Sequence, residues 1–391
     1  MTPKGFSFSA IKAKLKKWDK EDIGLIVSDT PCTAAAVFTT NRAKAAPVLL
    51  SMKHIKAKTH RAIIANSGCA NAGTGKPGYK NALETTRLTA RQLRCRASEV
   101  LVASTGVIGL DFSWDKFGTA IPKLAAMLKA SPAGFTRAIM TTDTKPKLTS
   151  RGVTIGGKKV AIWGCAKGSG MIHPNMATML SFIITDVAVP KAVLQSALKE
   201  AADGTFNRLT IDGDTSTNDT VFLLANGAAG NAPLSKGGAD YKKFVQALAA
   251  VCTTLSEKIV GDGEGVTRIA EIKVEKAANA NEALMVARAV ARSLLVKTAL
   301  HGGDPNWGRI ICAAGYSGAK VDQGKMELYF GKHAAFKNGA PTDIDEKKLA
   351  AEFNKKRVKM RLVLNRGKAG DRYLFCDISH EYVTINSHYR T

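Results

Sequence analysis

A chain of 391 residues with 45% hydrophobic but only 6% aromatic side chains can bury a sizeable core of Ala, Val, Ile and Leu, and it exceeds the size at which one compact core usually stops growing. Its 57 Lys and Arg against 32 Asp and Glu give a net charge of +25, but these residues are scattered apart from the run Lys12 to Lys20. Four Trp and no aromatic–basic interleaving argue against a nucleic-acid surface and for a solvated basic face that attracts anionic metabolites. The excess is uneven, with 28 basic and 9 acidic residues in 1–177 against 29 and 23 in 178–391.

In chain order, short β-rich runs alternate with Ala-rich helical ones. "DIGLIVSD" (22–29), "AAAVFTT" (34–40), "RAIIANSG" (61–68) and "VLVAST" (100–105) read as strands, and helices are expected near 79–94 and 115–130. "RGVTIGGKKVAIWGCAKGSG" predicts a hairpin turning at Gly156-Gly157, followed by a central strand, "TMLSFIITDVAV". Pro190 marks the start of a helix over 190–203. Further helices are predicted at 239–259, 279–299 and 346–356, and strands near 266–276, 325–330, 357–364 and 372–385. The alternation indicates an α/β class, and with no low-complexity linker the two parts should interlock. Seven cysteines, odd in number and never in a Cys-x-x-Cys pair with His nearby, read as reduced thiols of a cytosolic protein, with no disulfide frame and no metal site. No apolar run reaches the ~18 residues of a membrane span. The acid-free N-terminal stretch contains Ser and Lys but no Arg, so a transit peptide is not expected and the location is cytoplasmic.

The central stretch "KGSGMIHPNMATMLSF" (167–182) runs from a Gly-rich loop into a hydrophobic strand and carries Thr178 at the junction. A neutral hydroxyl is a poor nucleophile without a base beside it. Asp143, Asp186, His173 and His301 are available, yet none makes a recognisable triad, and "GSG" is not a Gly-x-Ser-x-Gly elbow. If the bond between Ala177 and Thr178 were cut, Thr178 would carry its own base, because an α-amine has a pKa of about 7.7–8.0. Pro174 restricts the backbone of His173, and the small Ala177 leaves room at the carbonyl. On local grounds alone, a β-branched residue opening a strand, with no cleavage, is the better account of Thr178.

"KGSGMIHPNMATML" resembles the self-cleavage segment of the ornithine/glutamate N-acetyltransferase family. "APVLL" (46–50), "NSGCANAGTG" (66–75), "STGVIG" (104–109), "IMTTDTKPK" (139–147), "DGDTSTNDTV" (212–221), "GDGEG" (261–265), "DPNWGRI" (304–310) and "EYVTINSHYRT" at the end resemble that family's blocks in the family's order. His173 departs from the Ala common there. The resemblance implies cleavage between Ala177 and Thr178 into an alpha chain, 1–177, and a beta chain, 178–391, assembled as α2β2. It also implies a layered α/β fold shared with N-terminal-nucleophile aminopeptidases. By the same resemblance Thr178 takes the acetyl group of N-acetylornithine and passes it to glutamate in a ping-pong cycle. Thr105 and Gly106 correspond to the oxyanion hole, and Thr144, Lys167, Thr178, Glu264, Asn386 and Thr391 to substrate contacts. No cofactor is implied; acetyl-CoA stays open as a second acetyl donor.

Other residues have plainer readings. Asp212, Asp214 and Asp219 in "DGDTSTND" lack the length and terminal Glu of a calcium loop and read as a turn whose side chains satisfy backbone groups. His301 reads as a helix-end residue before a Gly stop. Two rivals to acetyl transfer stand: a self-processing aminopeptidase or amide hydrolase, and a non-catalytic basic binding protein, which predicts an intact chain.

Overall fold

The computed structural model describes residues 1–16, 19–173 and 179–388. Eight strands form the first sheet: β1 (Phe6–Ile11), β2 (Ile23–Phe38), β3 (His60–Asn66), β4 (Val100–Ser104), β5 (Lys147–Ile155), β6 (Lys158–Lys167), β7 (Leu180–Thr185) and β9 (Thr220–Ala225). They run in the order β4-β3-β2-β9-β7-β6-β5, with β1 added along β2. The two runs expected as separate strands, 22–29 and 34–40, are one strand, β2. Its first half pairs with β1 and β3, its second half with β9, and the register shifts between Val27 and Cys32. Asp29, Thr30 and Pro31 lie exposed at that shift, where proline's missing N–H costs no ladder bond.

This strand folds the sheet into two facing halves, and the period-2 alternation of its side chains sorts the core into layers. Ile23, Leu25 and Val27 face helix Trp114–Ala126, packing with Phe117, Ile121 and Leu124. Ile26, Ala34 and Ala36 point between the halves, where Ile63 and Leu101 meet Trp163, Phe182 and Phe222. Ala35 and Val37 face helices Lys191–Asp203 and Ala239–Val260 through Leu194, Leu198, Phe244 and Leu248. The result is helix, sheet, sheet, helix, a layered α/β body as expected.

A second sheet joins β8 (Leu209–Thr210), β10 (Ile269–Ala277), β11 (Glu327–Phe330), β12 (His333–Lys337), β13 (Ala340–Pro341), β14 (Arg357–Val363) and β15 (Ala369–Cys376), in the order β13-β12-β11-β14-β10-β15-β8. Val286, Ala287 and Val290 of helix Ala280–Arg292 cover it with Leu300 and Ile310. Position 178 does not separate these bodies. β7 and β9, which follow it, lie inside the first sheet between β2 and β6, which precede it. A cut there would leave two chains sharing one hydrogen-bonded sheet.

The hairpin at Gly156-Gly157 forms as predicted, both residues having positive φ (52° and 73°). Two expectations fail. The helix placed at 279–299 breaks at Ser293, whose hydroxyl accepts the Val296 N–H and caps a new helix, Leu294–Gly302. The strand placed at 372–385 stops at Cys376, and His380–His388 is a helix. All seven cysteines are free thiols. Among the described residues no helix is long and apolar enough to cross a membrane.

Candidate active site

Lys167 ends β6 and pairs with Leu180 at the start of β7, while Thr220, at the start of β9, pairs with Leu180 from the other side. Three strand ends thus meet at one edge of the sheet. From the other half-sheet Ser104 ends β4, and the Asn218 amide joins the halves by donating to the carbonyls of Ala70 (2.7 Å) and Ser104 (2.8 Å). The edge encloses a cavity of about 260 Å³, lined by Thr105, Gly106, Thr141, Thr142, Lys167, Gly170, Met179, Asp212, Asp214, Asp219, Glu264, Tyr382 and Asn386, among others.

Of the residues singled out from sequence, Thr105, Gly106, Lys167, Glu264 and Asn386 meet here. Ala177, Thr178 and Thr391 lie outside the described residues; Met179, the neighbour of Thr178 in sequence, lines the cavity. Thr144 does not line it. Its N–H and hydroxyl both donate to Asp262. Sequence reasoning missed Tyr382, Thr141 and Thr142, and gave Asp212, Asp214 and Asp219 only a turn role. The turn exists, with Asp214 N–H on Asp212 and Gly213 N–H on Thr210, and it also faces the cavity. The four-residue spacing of Tyr382 and Asn386, one helical face, was the signal available for Tyr382.

The residues are held by a buried polar network. Lys147 Nζ donates to Asp143 Oδ1 and Asp262 Oδ2, both at 2.5 Å. Asp143 also accepts the N–H groups of Thr141 (3.0 Å) and Gly168 (2.8 Å). Ser169 donates its hydroxyl to the Asp262 carbonyl (2.5 Å), and its own carbonyl accepts the Glu264 N–H (2.9 Å). Segments 141–147, 167–170 and 262–264 are thereby locked together. Asn386 Nδ2 then donates to Glu264 Oε2 at 2.8 Å, tying the C-terminal helix to the same carboxylate.

Electrostatics follow from burial. Burial pushes the Asp143 carboxyl up, but Lys147 and Lys167 beside it hold it at about 2. Burial pushes the Lys167 ammonium down against the pull of Asp143, Asp219 and Glu264. Its Nζ reaches Thr105 Oγ1 at 3.3 Å, so a cation and the turn "STG" share one corner. Burial raises Asp212, although its carboxylate accepts the N–H groups of Met171 and Ile172. The four residues weighed for a triad have separate partners: Asp143 as above, Asp186 on the N–H groups of Lys4 and Ala161, His173 against the Tyr373 ring, and His301 on Asp377 at 2.9 Å. His301 does close a helix that stops at Gly303, in the left-handed conformation.

Two glycines show how tightly the corner is built. Gly106 has φ 124°, and a Cβ there would lie 2.4 Å from the Gly68 carbonyl carbon, a backbone atom that cannot yield. A Cβ on Gly170 would lie 2.3 Å from Glu264 Oε2, the mobile end of a side chain. Gly106→Ala is therefore expected to lose soluble folded protein. Gly170→Ala should fold, with a melting temperature within a few degrees of wild type, and raise KM at least tenfold by displacing Glu264. An unchanged KM for Gly170→Ala would show that Glu264 does not touch substrate.

The model of the ArgJ family matches residues 7–391. The arginine biosynthesis bifunctional protein ArgJ of Dehalococcoides mccartyi is 49% identical over 393 residues, covering 100% of this chain and 96% of that protein. Its counterpart in Thermotoga neapolitana is 46% identical over 395 residues, covering 100% and 99%. The crystal structure of arginine biosynthesis bifunctional protein argJ from Bacillus halodurans matches with a TM-score of 0.53 at 43% identity, over 54% of this chain and 100% of that one.

Proposed function

This chain belongs to the ArgJ family, and on that premise we propose that it is an acetyltransferase of arginine biosynthesis that moves an acetyl group from N-acetylornithine to glutamate. One observation carries the reading. Thr105, Gly106, Lys167, Glu264 and Asn386, distributed over 282 positions of chain (386 − 105 + 1), converge on one cavity with Met179, next to Thr178.

The chain cleaves itself between Ala177 and Thr178, and the new α-amine takes the hydroxyl proton as Thr178 Oγ attacks the acetyl carbonyl. Thr105 Oγ1 and the Gly106 N–H stabilise the oxyanion, in a corner where burial strengthens each donor. The tetrahedral intermediate collapses, the C–N bond breaks, and the ornithine nitrogen leaves with the proton. Glutamate's amine then attacks the acetyl ester by the same steps reversed. Lys167 pairs with the substrate α-carboxylate and Glu264, oriented by Asn386, with the ornithine side-chain ammonium; Thr391 adds a further contact, while Thr144 acts through Asp262. The products of cleavage, 1–177 and 178–391, stay together in an α2β2 assembly. A relative's chain that is matched in full by 54% of this one is in keeping with a mature chain of about the length of 178–391.

Denaturing electrophoresis with N-terminal sequencing, followed by assays of N-acetylglutamate formation from glutamate with either N-acetylornithine or acetyl-CoA, tests this. Two bands, one beginning at Thr178, and activity with N-acetylornithine are expected; acetyl-CoA turnover would add the second donor. A persistent single band, or activity with neither donor, sinks the proposal. Release of free acetate without glutamate would favour the hydrolase.

A further inference from the structure

The carboxyl group of Asp219 has no part in the steps above. Asp219 lies just before β9, is 3% exposed, and lines the cavity with Thr105, Lys167 and Glu264. Its Oδ2 has no hydrogen-bond partner among the described residues, while Ser216 from its own loop and Thr39, just after β2, bond the carboxyl. A buried acceptor left without a donor is costly, and native folds leave few of them. In the wall of a ligand cavity, such a group is completed by a donor that arrives with the ligand.

The charges around it narrow the donor. Lys167 faces Asp219 from β6, with Asp143 and Lys147 behind it; Asp212 and Asp214 lie on the same loop, Glu264 comes from the segment after helix Ala239–Val260, and Tyr382 from the C-terminal helix. Lys167 shares its charge among Asp143, Asp219, Glu264 and the Thr105 hydroxyl. An α-amino acid carries a carboxylate and an ammonium one carbon apart. Lys167 and Asp219 present the inverse pair.

We propose that Asp219 is a substrate-binding residue that receives the α-nitrogen of the amino-acid substrate while Lys167 holds the α-carboxylate. This rests on the acetyl-transfer reading and assigns one more substrate atom within it. It has a proton consequence. Burial pushes the carboxyl of the empty Asp219 well above the usual carboxylate range, against the pull of Ser216, Lys167 and Thr39. An arriving α-ammonium pulls the same carboxyl back down, so whatever proton the empty carboxyl holds passes to solvent. Between the pKa of the complex and the higher pKa of the empty site, affinity for an ammonium-bearing ligand therefore rises with pH, by up to tenfold per unit, and levels off above the latter.

The test is calorimetric titration of the processed protein with glutamate, and with 2-hydroxyglutarate, in buffers of different ionisation enthalpy. Glutamate should release protons on binding and 2-hydroxyglutarate none; Asp219→Asn should abolish both the release and the pH slope. Equal release with the two ligands overturns the assignment and needs no variant. Release retained in Asp219→Asn also overturns it and points to another group, such as the Thr178 amine. Glutamate binding without a linked proton removes Asp219 alone, whereas failure to bind any amino acid removes the acetyl-transfer reading with it.

Discussion

Lys147→Met is expected to destabilise the protein by about 3–5 kcal/mol, the range found when one partner of a buried ion pair is deleted. Lys147 is 1% exposed and stands between two carboxylates, Asp143 and Asp262, each 2.5 Å away. Methionine fills much of the same volume but leaves both carboxylates without that cation. The sign of the pH dependence is fixed by Asp143, held at about 2 in the folded chain against an unfolded value of 3.8. Its contribution is present above pH 3.8 and is lost as pH falls toward 2. In the variant Asp143 loses its nearest cation and favours the protonated form more, so acidification relieves it. The stability gap measured by urea unfolding should therefore be widest near neutrality and narrow toward pH 4. A gap that stays constant with pH would show the loss to be one of packing alone. Activity should fall too, because the network that Lys147 closes also positions Thr141, Gly168 and, through Ser169, Glu264.

No local pattern announces Lys147. In "TKPKLTS" it looks like any solvated lysine, and its second partner is 115 residues away. β2 to β7 were legible because they are short, β-rich apolar runs bounded by turn residues, whereas β1 and β9 drew no expectation. The hairpin glycines and Pro190 acted through local backbone chemistry, which needs no tertiary context. Where tertiary structure overrides propensity, the reading failed. "YVTI" (382–385), rich in β-branched and aromatic residues, has the composition of a strand, yet it is helical. There Ser379 accepts the Tyr382 N–H and Asn386 reaches Glu264 from the next turn. Pro31 and its neighbours looked like a strand break because a bent strand serving two half-sheets has the composition of a turn at its bend. The site was legible as separated blocks; their meeting at one sheet edge was not, since it depends on β7 and β9 inserting between β2 and β6. The acidic loop illustrates the same limit. Its turn chemistry is local, but its place in the cavity wall is set by strands on both sides of position 178.

That interleaving sharpens the largest expected effect, from Thr178→Ala. The purified variant should run as one full-length band and transfer acetyl at a rate lower by on the order of 10⁶, the size of loss when a hydroxyl nucleophile is removed from a hydrolase. Its fold should survive, because no strand of the shared sheet depends on the cut. Thr178→Ser supplies the complement: a hydroxyl remains, cleavage still creates an α-amine beside it, and both processing and transfer should persist at reduced rate. In the wild type the two products should co-elute in native buffer and part only in denaturant, since separating them tears β7 and β9 from β2 and β6. The transfer rate should fall as pH drops below about 7.7–8.0, where the α-amine takes a proton and ceases to act as a base. A Thr178→Ala chain that still divides before residue 178 would assign the cleavage to another group. Wild-type fragments that separate without denaturant would contradict the shared sheet.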